Sequence, residues 1–402
     1  MASSFHIRAT CRLCSAQLPE ERILDLGETA LANELKSTRA ESLAQDKFPL
    51  YLVQCKACGH VQLPVVVDPE RLFPADYPYE SGTTETFRDH LWHQAQWLDD
   101  LLPRNARVLE IGSNDGTLLG YLKKLGHLVV GVDPAEGVAV KAREAGVPTE
   151  IAHFSFGVAC RLAATYGPFD LVVANNVFAH VDELSSFTEG VAHVLKPGGS
   201  FVFEVGYFPR VCERGLLGTV YHEHLSYHSL SSLDPFLKAR GFDFMQIHEI
   251  DSQGGSIRCL ARKRGPELTG EEALRHAAVM AGRSFPEPFD PLALDDHRRD
   301  LVAKTCAVLD LLLAGKRVCG YGAPAKLTSL LAATGLGADE LECVFDDNPR
   351  KVGKFTPGSG IPIVASAEIA ERKPDVLVLF SGNFEAEIRR KHPEFSGDWI
   401  VL

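Results

Sequence analysis

No stretch of this chain approaches the roughly 18 to 20 uninterrupted apolar residues of a membrane-spanning helix, so no membrane association is expected. The opening M-A-S-S-F-H-I-R-A-T lacks the apolar core of a secretory signal, and the expectation is a soluble, cytoplasmic protein. A basic excess is missing too: the net charge is -12. Nucleic-acid binding relies on clustered Lys and Arg that release counterions, so no nucleic-acid partner is expected and a small or nucleotide-linked substrate fits better. A disulfide framework is also lacking. Of ten cysteines, four form two tidy pairs and six are scattered, which indicates a metal site in a reducing compartment.

What is present is length: 402 residues at 45% hydrophobic composition. Single cores stop growing at roughly 250 to 300 residues, so several domains are expected, with divisions at 1–75, 76–265 and 266–402. The first region carries T-C-R-L-C-S and V-Q-C-K-A-C-G-H. Cys11, Cys14, Cys55 and Cys58 make two Cys-x-x-Cys knuckles, and four thiolates complete a closed tetrahedral zinc shell. So small a segment has little room for a core, and metal binding would supply its folding free energy. His60 is a spare ligand nearby.

Strand and helix alternate through the second region. R-V-L-E-I-G-S-N-D-G-T-L-L runs from an apolar strand through a glycine turn into a helix; H-L-V-V-G-V-D-P, F-D-L-V-V-A-N-N and S-F-V-F-E-V follow as further strands. An open parallel sheet wrapped by helices is expected, with its ligand crevice at the carboxyl ends of the strands. The spacing Glu110-x-Gly112-x-x-x-Gly116 departs from the dinucleotide pattern G-x-G-x-x-G, whose second glycine admits a pyrophosphate; Asn114 stands there instead. A glycine turn flanked by Glu110 and Asp115 suits a ligand with positive ammonium and sulfonium groups. Asp133, ending the next strand, is placed to accept ribose hydroxyls. This stretch resembles the first motif and ribose acid of the class I S-adenosylmethionine methyltransferases. Asn175 and Asn176 are further candidate donor contacts.

The third region, after a helical connector with the turn F-P-E-P-F-D-P, is another α/β unit: K-R-V-C-G-Y-G-A-P-A-K, then L-E-C-V-F-D-D-N, P-D-V-L-V-L-F and W-I-V-L. Gly322 and Ala323 are expected to leave helix amides open to an anion, with Lys326 adding positive charge one turn on. Neither α/β region reads as a copy of the other.

Residues 220–229, V-Y-H-E-H-L-S-Y-H-S, hold three histidines, two tyrosines and one glutamate. Histidine is the side chain that exchanges protons near neutral pH. The order of zinc knuckles, donor domain with A-N-N-V-F-A-H, Y-H-E-H-L-S-Y and G-Y-G-A-P-A-K is similar to the sugar C-methyltransferases of deoxysugar biosynthesis. That resemblance implies structural zinc, S-adenosylmethionine in the middle domain, and a nucleotide-linked 4-keto sugar held between the middle and C-terminal domains. It places Tyr221, Glu223 and His224 at the family's Y-x-E-H, His180 at the histidine after A-N, and Tyr77 and Tyr79 at its Y-P-Y element.

A carbon beside a ketone becomes nucleophilic only after losing a proton, so a base is required. His224 is the first candidate, with Glu223 orienting it or supporting it electrostatically and Tyr221 as alternative base or as donor to the enolate oxygen. His180 is expected at the same oxygen, and Tyr77 and Tyr79 over the pocket. An O- or N-methyltransferase would share the middle domain but needs less help from a base. A nicotinamide oxidoreductase is disfavoured by Asn114 and by the missing third glycine after G-Y-G-A-P, and a zinc-ribbon adaptor by the acid excess.

Overall fold

The computed structural model describes residues 5–74, 80–265 and 291–402. Tyr77, Tyr79 and most of the proline-rich connector turn lie outside the described residues. The middle region is built on a seven-stranded sheet. From edge to edge its strands are Phe242–Ile250, Ser256–Lys263, Leu195–Gly206, Phe169–Asn175, Arg107–Ile111, Leu128–Asp133 and Thr149–Ile151. The last five are parallel and the first two form an antiparallel hairpin against Leu195–Gly206. Parallel strands covered on both faces need apolar side chains on both, which is why V-V-G-V and L-V-V-A are nearly continuous apolar runs.

Flanking helices carry local start and stop signals. The helix Glu85–Leu101 is capped by the Thr84 hydroxyl, which accepts from the Phe87 amide. Its buried Leu91, Gln94, Ala95 and Leu98 recur at the helical period. It stops at Leu102, which is extended because Pro103 follows.

The C-terminal region holds a five-stranded, all-parallel sheet: Ile363–Ala365, Val344–Asp346, Val318–Tyr321, Val376–Leu379 and Asp398–Val401. In both parallel sheets the chain winds outward to one side and then returns to the other side of its first strand. That reversal opens a crevice beyond the strand ends, between Arg107–Ile111 and Phe169–Asn175 in one sheet and between Val318–Tyr321 and Val376–Leu379 in the other.

Contiguity in sequence is not contiguity in space. The N-terminal antiparallel sheet runs Leu24–Thr29, Phe48–Gln54, Val61–Gln62 and then Ser226–Tyr227, so its edge strand comes from the middle region. One apolar cluster joins Leu50, Leu52 and Val65 to Phe208, Leu217 and Val220 and to Leu327, Val344 and Phe380. The segment from Phe208 to Tyr227 is therefore packed between the outer two regions, and the histidine cluster is carried on it.

Candidate active site

The four N-terminal cysteines converge. Their sulfurs all lie within 4.8 Å of one another, with Cys11–Cys58 and Cys14–Cys55 each at 3.6 Å. Zinc bound at about 2.3 Å in a tetrahedron of sulfurs needs edges of about 3.8 Å, which this cluster meets. The two knuckles fold alike. In each, the residue after the second cysteine (Ser15, Gly59) has positive φ and donates its amide to the first cysteine's carbonyl at 2.9 Å. In each, the first cysteine's amide bonds the next carbonyl along, Ala16 or His60, at 2.8 Å. His60 is not a fifth ligand: it is buried and its Nε2 lies 3.2 Å from Ser226 Oγ.

A cavity of about 1790 Å³ runs between the three regions. Pockets for one small ligand span roughly 300 to 1,000 Å³, so this one has room for two. Its wall on the middle sheet is acidic. Glu110 is buried, its Oε2 has no hydrogen-bond partner among the described residues, and burial, then Asp115 and Asp133, pushes its carboxyl well above the usual range. Asp133 accepts from the Asn114 and Ala135 amides, both at 2.9 Å, while burial raises its carboxyl. Gly112 has φ +70 and a Cβ there would stand 2.2 Å from Val177 Cγ2, so the backbone itself forms the wall. A compact cationic ligand restores the charge that burial disfavours on Glu110.

Other donor candidates have structural partners. The Asn114 side chain accepts from the Ser81 amide at 2.8 Å, and Asp115 accepts from the Gly82 amide at 2.7 Å and from Thr117. These two residues hold the segment around Ser81–Thr83 across the glycine turn. Gly116, at φ +76, precedes the helix Thr117–Lys124. The Asn175 amide is paired both ways with Gln94, at 2.7 and 3.0 Å. Asn176 lines the cavity with positive φ.

Tyr221, Glu223, His224 and His180 all line this cavity. His224 Nδ1 donates to the Thr219 carbonyl at 2.7 Å, which leaves Nε2 as the acceptor, and Tyr221 Oη is 2.9 Å from it. Burial, then His180, depresses the His224 imidazole to about 3. The ring is therefore neutral near pH 7. The orienting group is the Thr219 carbonyl rather than Glu223, whose carboxylate accepts from Asn33 Nδ2 at 2.6 Å. The Glu223 carbonyl instead receives His180 Nδ1–H at 2.6 Å. His180 is thus also oriented with Nε2 as acceptor, and burial lowers its pKa. In this tautomer a neutral His180 can accept a hydroxyl at Nε2 but carries no proton there for an enolate oxygen, unlike the role expected of it. Its ring lies 5.0 Å from His224 and edge-on to Phe73 at 5.7 Å.

The C-terminal wall is basic. Lys326, Lys351 and Arg390 line it, and burial lowers Lys326 to about 8. The turn differs from expectation. The Ala323 amide is not open to an anion, since it donates to Asp346 Oδ2 at 2.7 Å, and Lys326 is the first residue of its helix, Lys326–Thr334. A Cβ on Gly322 would come within 2.4 Å of Ser381 Oγ.

Several residues of this site carry no short motif. Asn33 reaches Glu223 from 190 positions away, and Arg12 reaches Asp182 from 170. Glu204 is buried between His90 at 2.9 Å and Arg258 at 2.6 Å. Burial alone would raise its carboxyl, yet those two partners hold it below the usual range. Only Arg12 leaves a trace in sequence, as a charge between two metal-binding cysteines.

Three family models match the chain in order: "Putative zinc binding domain" over residues 11–73, "Methyltransferase domain" over 86–247 and "C-methyltransferase C-terminal domain" over 251–402. The C-methyltransferase NovU of Streptomyces niveus is 33% identical, with 97% of this chain and 94% of that protein covered. A ubiquinone biosynthesis O-methyltransferase of Bradyrhizobium sp. (strain ORS 278) is 37% identical over 24% of this chain and 38% of its own length. Among solved structures, magnesium protoporphyrin IX methyltransferase (ChlM) from Synechocystis PCC 6803 with bound SAH is 17% identical, with 46% of this chain and 90% of that chain covered at a TM-score of 0.36.

Proposed function

The chain belongs to the S-adenosylmethionine-dependent C-methyltransferases with an N-terminal zinc-binding domain, and from that premise we propose that it methylates the carbon beside the ketone of a nucleotide-linked 4-keto sugar. The observation that carries this reading is one cavity with walls of opposite charge and a Tyr–His pair facing it. The acid wall of Glu110 and Asp133 suits the cationic donor, and the Gly112 turn leaves it space. The wall of Lys326, Lys351 and Arg390 suits the acceptor's phosphates. When bound, S-adenosylmethionine supplies an electrophilic methyl group. Zinc, held by Cys11, Cys14, Cys55 and Cys58, has four protein ligands and no open position, so its contribution is structural.

Tyr221 and His224 act as one base in this reading. The proton leaving the substrate carbon arrives on Tyr221 Oη as the phenolic proton moves to His224 Nε2, and the C–H electron pair becomes the enolate. Thr219 keeps His224 in the tautomer that accepts. His180 Nε2 receives a sugar hydroxyl and so fixes the ring's orientation. Tyr77 and Tyr79 are assigned to closing the pocket on their motif alone. An oxygen or nitrogen acceptor needs less help from a base, and the relative matched over 94% of its own length is a C-methyltransferase.

The test is solvent-deuterium incorporation beside the ketone of a thymidine diphosphate 4-keto-deoxysugar with the demethylated donor bound, followed by mass spectrometry. The parent enzyme should exchange, and His224→Asn and Tyr221→Phe should each lose about 10²- to 10⁴-fold in activity while still binding the donor. Parental exchange in both variants would sink the reading.

A further inference from the structure

Arg12 sits inside the first zinc knuckle, between Cys11 and Cys14, with its side chain fully buried. Its guanidinium leaves the N-terminal region. Nε donates to Asp182 Oδ1 at 3.0 Å, and Nη1 donates to the Leu225 carbonyl at 3.2 Å and the Leu63 carbonyl at 2.8 Å. Asp182 lies two residues beyond His180, and Leu225 directly follows His224. The Leu225 amide in turn donates to the Ala179 carbonyl at 2.9 Å, next to His180. One planar fork therefore holds the chain beside both histidines. The Arg12 backbone is placed by the knuckle, and its amide donates to Gln62 Oε1 at 3.1 Å, inside the sheet that takes Ser226–Tyr227 as its edge strand.

A guanidinium at so dry a place is a costly way to stabilise a fold, since apolar residues of similar volume do as well or better. It suits a device that sets register, because five donors in a rigid plane fix the relative positions of several acceptors. The same Asp182 Oδ1 also lies 3.2 Å from Arg8 Nη1.

We propose that Arg12 is a positioning residue for methyl transfer, carrying the geometry of the zinc knuckle through Asp182 and the Leu225 carbonyl to His180 and His224. This rests on the reading that these histidines serve the reaction. A misplacement of about 1 Å at a reacting group costs roughly 10²-fold in rate, so the linkage needs only small displacements to matter. Loss of zinc then stops catalysis by shifting the histidines, before the middle sheet or its donor wall is disturbed.

The experiment compares Arg12→Met, Arg12→Lys and Asp182→Asn in the full-length zinc-loaded protein. Zinc content is read by elemental analysis, S-adenosylhomocysteine affinity by calorimetry, kcat and KM with a thymidine diphosphate 4-keto sugar, and the His180 and His224 ring signals by histidine-selective NMR. Arg12→Met and Asp182→Asn should keep about one zinc and the parental affinity, lose roughly 10- to 100-fold in kcat with KM little changed, and move both ring signals. Arg12→Lys should recover only part of kcat, because an ammonium cannot reach Asp182 and two carbonyls together. If Arg12→Met does not fold, Asp182→Asn decides alone, since that carboxylate is 21% exposed and outside the knuckle. Parental kcat and unmoved ring signals in Asp182→Asn would overturn the proposal. That result leaves His224→Asn inactive, whereas failure of the base assignment leaves His224→Asn active, so the two failures are told apart.

Discussion

At the end of the first strand of the middle sheet, Gly112 donates its amide to the Val132 carbonyl at 2.7 Å. At the matching point of the C-terminal sheet, Gly322 donates to Phe345 at the same distance. Asp133 accepts from the Asn114 amide and from Ala135 two residues on; Asp346 accepts from Ala323 and from Asn348 two residues on. The two regions thus share a turn that their sequences do not display. They part in what faces the cavity. Asp133 lines it, and Glu110 stands two residues before Gly112. Two residues before Gly322 stands Gly320, and Lys351 reaches over the other acid, with Nζ 3.9 Å from Asp346 and 2.8 Å from the Ala323 carbonyl. The backbone of a doubly wound sheet supplies a crevice, and the charge set around it selects a cation or an anion.

The strongest way to break this comparison is at the glycines. Gly112→Ala combines positive φ with a Cβ 2.2 Å from a branched carbon, so donor affinity by calorimetry should fall by roughly 100-fold or more. Gly322→Ala shares the positive φ, but its nearest contact is a hydroxyl that can rotate, with Ser381 Cβ at 3.2 Å, and it should raise the acceptor KM by about tenfold with donor affinity unchanged. Equal loss of donor affinity in both variants would mean that the two turns do not serve separate ligands.

The acids give the next contrast. Asp133→Asn should weaken donor binding by about tenfold, the worth of one charge-assisted hydrogen bond. Asp346→Asn should leave donor affinity alone, and both variants should lower the melting temperature, since each carboxylate serves two backbone amides. Calorimetry on the two variants separates them.

Lys326 sharpens the contrast through pH. Burial lowers it to about 8, so the cation is lost as pH rises through that value, and the acceptor KM should climb between pH 7 and 9. Lys326→Arg keeps its charge at every working pH and should flatten the rise. A parental KM that is level across this range would remove Lys326 from the phosphate wall.

The smallest effect concerns the histidine segment as a folding unit. Burial depresses His222, His224 and His228 to about 4, 3 and 4, whereas unfolded histidine titrates near 6.5. Below pH 6.5 the unfolded chain binds more protons, so stability is intact above that pH and falls as pH drops toward 4. His228→Phe keeps a ring against Phe178, 5.2 Å away in the parent. It should reduce the slope by about 1.4 kcal/mol per pH unit, read from urea midpoints at pH 7 and 5.

Much of this was legible without coordinates because it is local. Cys11-x-x-Cys14 and Cys55-x-x-Cys58 must turn within four residues whatever surrounds them. The run into Gly112 and Asp133 states strand, turn and strand through apolar residues and glycines such as Gly112 and Gly116, both at positive φ. Even the Tyr221–His224 pair is three positions apart, within reach of one tight turn. The C-terminal turn is less legible in sequence, because the Asp346 side chain that closes the Ala323 amide comes from the neighbouring strand.

By itself the sequence determined the two cysteine knuckles, the strand running into the Gly112 turn and the acid Asp133 at the end of the next strand, all set by spacings short enough for covalent geometry to govern. Only the tertiary structure decided that Ser226–Tyr227 completes the N-terminal sheet, that Asn33 meets Glu223, that Arg12 meets Asp182, and that one cavity has an acidic and a basic wall. Those pairings join residues far apart in the chain, and what selects them is the burial of a shared apolar cluster together with the requirement that buried polar groups find partners. No local pattern encodes that outcome.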